Sequence, residues 1–283
     1  MQIIECPRDA MQGIHEFIDT PTKTAYINKL LQVGFHSIDF GSFVSPKAIP
    51  QMRDTVKVLN GLDLSETTSK LLAIVGNLRG AERAASFDEI TYLGFPFSIS
   101  DTFQQRNINS TIEDSFKRAD QIRNLAEQKG KEMVMYISMA FGNPYGDPWN
   151  KDIVIEWSHK LHEELDVKII SLSDTIGVAT PDSISYLFSA LIPALPQVLF
   201  GAHLHTTPDT WEEKVEAAYK NGCERFDGAI RGLGGCPMAK DDLTGNMPTE
   251  NLIHYFNKNE VELGLNQDAF FEAVQHSQGV FPV

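Results

Sequence analysis

The sequence predicts a single (β/α)8 barrel, and three observations predict it. About eight short, largely non-alternating apolar runs recur along the 283 residues, as parallel strands buried on both faces require. Helical stretches with start and stop signals fill the gaps between them. Nearly every unusual polar residue near a strand falls at that strand's C-terminal end, the rim on which barrel enzymes carry their chemistry.

Strands are expected at Ile3–Cys6, Ser37–Phe40, Leu71–Val75, Ile90–Phe95, Met133–Ile137, Lys168–Leu172, Val198–Ala202 and Arg225–Gly228. The spacing predicts a helix over Thr22–Val33, opened by Thr20-Pro21 and stopped by Gly34. A second helix is expected over Ser110–Lys129, with Ser110-Thr111-Ile112-Glu113 as a capping box and Gly130 as the stop. Thr180–Ala190 opens with proline in its first turn, and Trp211–Asn221 closes at Gly222. One domain is expected over 1–283, with the barrel at about 1–246 and a helical region at about 247–283 that caps or flanks it. A doubly wound open sheet is the competing architecture, but no glycine-rich dinucleotide fingerprint follows the first strand.

Net charge is −14, which argues against nucleic acid as a partner, because phosphate backbones need a basic footprint. An acidic protein that handles an anionic substrate must gather cations locally, through a metal, arginines and helix N-termini. No run of roughly 18 apolar residues is present, so no membrane span is expected. The N-terminus lacks the basic-then-apolar pattern of a signal peptide and the Arg/Ser-rich pattern of a transit peptide, which reads as cytoplasmic. Three cysteines fit neither a disulfide framework nor a zinc ribbon, and a reducing compartment suits them. Cys6 and Cys223 sit among apolar residues and read as core, whereas Cys236 sits among glycines.

The candidate functional residues sort onto one rim. Arg8 and Asp9 end the first strand, Asp39 lies in the second with Ser42 just past it, and Ser138 follows the fifth. Asp174 ends the sixth strand, His203 and His205 end the seventh, and the loop Gly232-Leu233-Gly234-Gly235-Cys236 follows the eighth. Two histidines two apart on a strand share a face. Asp9 with that pair makes a mixed oxygen/nitrogen donor set without thiolate, suited to Mg²⁺ or Mn²⁺ and also able to take Zn²⁺ or Fe²⁺. Taken singly, each residue has a plainer reading: an Asp at a strand end caps a helix, glycines make a turn, and a lone Cys is inert. Their convergence, with an Arg beside the Asp and a Cys on the glycine loop, reads as a metal-dependent lyase.

The segments Pro7-Arg8-Asp9 with Gln12, Ser42-Phe43-Val44-Ser45-Pro46-Lys47, Pro50-Gln51-Met52, Asn77-Leu78-Arg79-Gly80 and Asn107-Ile108-Asn109 carry a resemblance over nearly the whole chain. So do Ser173-Asp174-Thr175-Ile176-Gly177, His203-Leu204-His205, Gly232-Leu233-Gly234-Gly235-Cys236-Pro237, and Gly245-Asn246 with Thr249-Glu250. The sequence resembles the DRE-type TIM metallolyases, and within them the 3-hydroxy-3-methylglutaryl-CoA lyases. That resemblance implies retro-Claisen cleavage of the acyl-CoA to acetyl-CoA and acetoacetate, a divalent metal cofactor and a homodimer. It implies Asp9, His203, His205 and Asn246 as metal ligands. Arg8 would polarise the carbonyl and the developing enolate, and Cys236 would transfer the proton to carbon. Asp39, Asp174 and His203 are left as alternative bases. Arg8, Gln12, Ser42, Asn109, Gly234, Gly235 and Glu250 would contact substrate.

The chain departs from the family pattern at several points. Ala10-Met11 stands where the family has Gly-Leu, and Asp39 where it commonly has Glu. Thr206-Thr207 follows the histidine pair where an acid is usual, and Asn143 replaces a loop Cys. Asp241-Asp242-Leu243-Thr244 precedes Gly245-Asn246, one residue longer than usual. These changes leave a related 3-hydroxyacyl-CoA or a free hydroxy acid open as substrate, and the altered residues around Asn246 are the only support for a non-catalytic metal- and acyl-CoA-binding paralogue. The aldol-type synthase branch of the superfamily would carry His-x-His-Asn-Asp and a large C-terminal regulatory region, and an amidohydrolase would carry His-x-His on the first strand.

Overall fold

The computed structural model describes residues 1–235 and 244–281. Eight parallel strands close into a barrel in sequence order: β1 (Gln2–Glu5), β2 (Ser37–Ser42), β3 (Lys70–Ile74), β4 (Ile90–Ser98), β5 (Glu132–Ser138), β6 (Ile169–Ser173), β7 (Leu199–His203) and β8 (Arg225–Gly228). Closure is made by β1 against β8, with Gln2 registered on Arg225 and Glu5 on Gly228. All eight expected strands are present, displaced by a few residues at most at either end.

The helices are α1 (Pro7–Gln12), α2 (Thr20–Leu31), α3 (Thr55–Leu59), α4 (Leu78–Ala85), α5 (Asp101–Ile108), α6 (Ile112–Gln128), α7 (Lys151–Leu165), α8 (Pro181–Ala194), α9 (Trp211–Lys220), α10 (Thr249–Lys258) and α11 (Gln267–Val280). Two start signals differ from the sequence reading. α2 begins two residues early, because Asp19 accepts the Thr22 amide and leaves Thr20-Pro21 as its first turn. The cap of α6 is Thr111 rather than Ser110: the Thr111 hydroxyl accepts the Asp114 amide. The reciprocal capping box forms at Thr180 and Ser183 of α8 instead.

Strand alternation divides the core. Outward-facing Phe95, Phe97, Phe200 and Phe226 pack beneath the helices in the main cluster, while Leu72, Tyr92, Val134, Tyr136 and Ile169 form a separate cluster. The C-terminal helix α11 flanks the barrel on α2, where His276 stacks on Tyr26 and Lys29 pairs with Glu272 at 2.7 Å. No helix among the described residues is long and apolar enough to cross a membrane.

Candidate active site

Arg8 and Asp9 do not end β1 as the sequence suggested. The strand stops at Glu5, and Pro7 opens a six-residue helix, α1, because its fixed φ and missing N–H suit a first turn. Helical spacing then brings Arg8, Asp9 and Gln12 together. Arg8 Nη1 donates to Asp9 Oδ1 at 2.8 Å and to Gln12 Oε1 at 2.9 Å, and Gln12 Nε2 donates to Asp9 Oδ1 at 2.7 Å. Arg8 Nε and Nη2 both donate to Asp39 Oδ2, at 2.9 and 2.5 Å. Those bonds use four of the five guanidinium hydrogens and leave one on Nη2 for a substrate oxygen.

The two acids beside Arg8 are not equivalent. Burial pushes Asp9 up, but Arg8, His203 and His205 outweigh it and hold the carboxyl below its ordinary value. Asp39 is only 1% exposed, and there burial outweighs Arg8 and lifts the carboxyl to about 6. Its Oδ1 has no hydrogen-bond partner among the described residues.

His203 is the last residue of β7, so only this member of the pair is a strand residue. His205 lies beyond the strand, in an antiparallel bridge with Asn246. The rings still converge, with centroids 5.5 Å apart, and one ligand atom each of Asp9, His203 and His205 lie within 4.8 Å of one another. Burial and neighbouring His203 push His205 down to about 3, so its imidazole is neutral and able to ligate. His203 has its Nδ1 3.1 Å from Asp227 Oδ2, a contact that raises its pKa against the effect of burial. Asn246 Nδ2 donates to Asp9 Oδ2 at 2.6 Å and to the Leu233 carbonyl at 2.8 Å, which commits the amide nitrogen and leaves the amide oxygen as the donor a cation would use. The glycine loop has to pass close to these groups. A Cβ on Gly234, at φ +96°, would lie 2.7 Å from Asn246 Nδ2 and 2.8 Å from the Asp9 carbonyl.

A cavity opens on this cluster. Arg8, Asp9, Gln12, Ser42, His203 and His205 line its polar side, facing an apolar wall of Val44, Ile49, Ile74, Pro96, Phe103 and Tyr136. Other sequence-predicted residues lie outside that lining. Asp174 is buried in a pair with Lys214 at 2.8 Å, and its other oxygen accepts the Ala179 amide at 3.0 Å. Asn109 is exposed and caps α5 in the left-handed conformation, whereas Asn107 and Ile108 line the cavity. Glu250 accepts the Arg231 amide through both oxygens at 3.0 Å, and Gly235 is buried. Cys236 lies outside the described residues.

Two residues that support the site escaped the sequence reading. Lys214 of α9 donates to Asp174 and also to the His205 carbonyl at 2.8 Å, tying the ends of β6 and β7 together. Within Glu212-Glu213-Lys214-Val215-Glu216 it looks like one more surface charge, and nothing local marks it. Asp227 did leave a signal, since Arg225 and Asp227 are charges at alternate positions of a strand expected to be buried on both faces.

A family model described as HMGL-like matches residues 2–276. The mitochondrial hydroxymethylglutaryl-CoA lyase of Pongo abelii is 33% identical over 276 residues, covering 96% of this chain and 83% of its own. The HMG-CoA lyase structure from Bacillus subtilis superposes with a TM-score of 0.91 at 31% identity, covering 98% of this chain and 92% of that one. An HMG-CoA lyase from Acinetobacter baumannii, solved with coenzyme A and 3-methylmalate, gives 0.90 at 29% identity, covering 99% of this chain and 90% of that one. On the match along almost its entire length, this chain belongs to the HMGL-like family.

Proposed function

We propose that this protein is a divalent-metal-dependent carbon–carbon lyase that cleaves 3-hydroxy-3-methylglutaryl-CoA to acetyl-CoA and acetoacetate. The observation that carries the reading is the convergence of Asp9, His203 and His205 within 4.8 Å on the wall of the cavity that also holds Arg8. The lyase relatives support it, as does the Acinetobacter relative with coenzyme A and a hydroxy diacid.

The donor set fits a hard divalent cation such as Mg²⁺ or Mn²⁺: one carboxylate held ionised, two imidazoles, and the amide oxygen of Asn246. Bound there, such a cation supplies Lewis-acid charge that lowers the pKa of the substrate hydroxyl. The remaining work falls to side chains. Of the three candidate bases, Asp174 has both oxygens engaged, by Lys214 and by the Ala179 amide. His203 has Nδ1 on Asp227 and would commit Nε2 to ligation. Asp39, held at about 6 and with no partner on Oδ1, keeps one carboxylate oxygen uncommitted for the C3 hydroxyl proton, and it meets the cavity through Arg8 rather than on the lining itself. As C3 becomes the ketone of acetoacetate, the C2–C3 bond breaks and its electron pair moves onto the acetyl-CoA enolate. Arg8 offers its remaining Nη2 hydrogen to the thioester oxygen, where that charge develops. Cys236 returns a proton to C2. Gln12 and Ser42 line the cavity as substrate contacts, whereas Asn109, Gly234, Gly235 and Glu250 stand outside its lining and carry a contact role through the family resemblance alone. The family resemblance carries a homodimer with this reading.

The test is acetoacetate release by the purified protein from 3-hydroxy-3-methylglutaryl-CoA with Mg²⁺ or Mn²⁺, with Cys236→Ala alongside. Product from the wild type and its loss in the variant are expected. No acetoacetate from a protein that binds the metal would overturn the substrate assignment and move the search to related hydroxyacyl-CoA thioesters and free hydroxy acids.

A further inference from the structure

β8 places Arg225 and Asp227 two residues apart, so both side chains enter the barrel interior on one face, Arg225 with 0% exposure and Asp227 with 3%. Burying a guanidinium and a carboxylate costs several kcal/mol per ion unless each meets a partner. Asp227 Oδ2 meets His203 Nδ1 at 3.1 Å. Arg225 Nη2 stands 3.9 Å from the other carboxylate oxygen, Oδ1. Neither that oxygen nor any of the three Arg225 nitrogens has a hydrogen-bond partner among the described residues. The carboxylate of Asp227, with the Tyr136 hydroxyl beside it, is what Arg225 is placed against.

The backbone makes room for this arrangement. Gly201, two residues before His203 on β7, is registered on Arg225. A Cβ there would lie 3.0 Å from Arg225 Cδ and 3.1 Å from Ser171 Oγ. The aliphatic stem of Arg225 thus fills the space under the His203 strand position that a side chain at 201 would claim. Tyr136 closes the other side, its ring edge-on to His203 with centroids 5.8 Å apart.

We propose that Arg225 and Asp227 form a buried positioning column: Arg225 anchors Asp227, and Asp227 fixes His203 with Nδ1–H on the carboxylate and Nε2 facing Asp9 and His205. The column sets how tightly the site holds a divalent cation, and so it rests on the metal-site reading above. Neither residue touches substrate. An imidazole without such an anchor is free to turn and to exchange tautomers, and losing a partner of this kind typically costs about 10–100-fold in metal affinity.

The experiment measures Mn²⁺ affinity by calorimetry, on metal-stripped full-length wild type, Asp227→Asn, Arg225→Met and Arg225→Lys, with melting curves for each. The expected result is binding by the wild type, a loss of about 10–100-fold in Asp227→Asn, a smaller loss in Arg225→Met, and recovery in Arg225→Lys. A folded Asp227→Asn or Arg225→Met that binds Mn²⁺ as tightly as wild type would overturn the column. A wild type that binds no Mn²⁺ would instead overturn the metal site itself. Imidazole ¹⁵N spectra of metal-stripped wild type at about pH 8 give a reading that needs no folded variant: a His203 Nδ1–H tautomer is expected, and an Nε2–H tautomer would overturn the proposal.

Discussion

From β6 round through β8 to β2, the groups at and below the rim are charged and tied to one another: Asp174 to Lys214, His203 to Asp227, and Arg8 to both Asp9 and Asp39. From β3 to β5 the same cavity is bounded chiefly by Ile74, Pro96 and Tyr136, over an interior of Leu72, Tyr92 and Val134. The first arc holds groups whose value depends on a partner at a fixed distance. The second offers shape and dryness, to which many side chains contribute a little. Removing one member of a buried pair strands the other, whereas trimming an apolar wall removes only its own contacts. Substitutions in the two arcs should therefore differ in kind as well as in size.

The largest effect is expected at a proposed metal ligand. His205→Ala should cut acetoacetate production by more than ~10³-fold, since Lewis-acid stabilisation worth several kcal/mol is lost. Steady-state assays over a range of Mn²⁺ concentrations check this, and activity near wild type would break the contrast between the arcs. Arg8→Gln comes next, with kcat lowered by about 10²–10³-fold and KM changed far less, because on the proposed mechanism its free N–H acts where charge develops. Initial-rate kinetics separate the two parameters.

Lys214→Met should destabilise the fold by about 3–5 kcal/mol by leaving Asp174 buried without its partner. Urea unfolding measures this, and adding Asp174→Asn should recover part of the loss. Glu5 sharpens the comparison from the outer face of the charged arc. It is fully buried, accepts the Ile230 amide and the Thr249 hydroxyl, and is lifted by burial from 4.5 to about 8. The folded state holds the Glu5 proton more tightly than the unfolded chain does, so this contribution is intact below 4.5 and is lost as pH rises through 8. Wild-type Tm should therefore fall across that window, by about 2–4 °C for each kcal/mol lost, and Glu5→Gln should flatten the slope. The smallest effect belongs to the apolar wall: Ile74→Val should cost about 0.5–1.5 kcal/mol of stability and leave Mn²⁺ affinity within about twofold.

Legibility in the sequence follows the same division. The strands could be read because apolar runs are dictated by burial on both faces, and the rim residues could be read because barrel strands end where chemistry begins. Arg8 and Asp9 were placed on the right rim but in the wrong element, since Pro7 ends a strand and opens a helix with the same residue. The capping box at Ser110 failed by one residue because Thr111 competes for the same role and wins it. Asp174 is legible as a candidate through the resemblance, yet its state depends on Lys214, 40 residues away on another element, which no local pattern foretells. The buried charges of β8 were visible as residues but not as a pair, because their meaning lies in what they face across the barrel.

The most direct test of the account is the dependence of 3-hydroxy-3-methylglutaryl-CoA cleavage on a metal held by α1 and the end of β7. The measurement is acetoacetate formation by metal-stripped wild type and Asp9→Asn as Mn²⁺ is added back. The account predicts no product without metal, saturable recovery in the wild type, and little or none in Asp9→Asn. Full activity in the stripped protein, or equal recovery in Asp9→Asn, would contradict it.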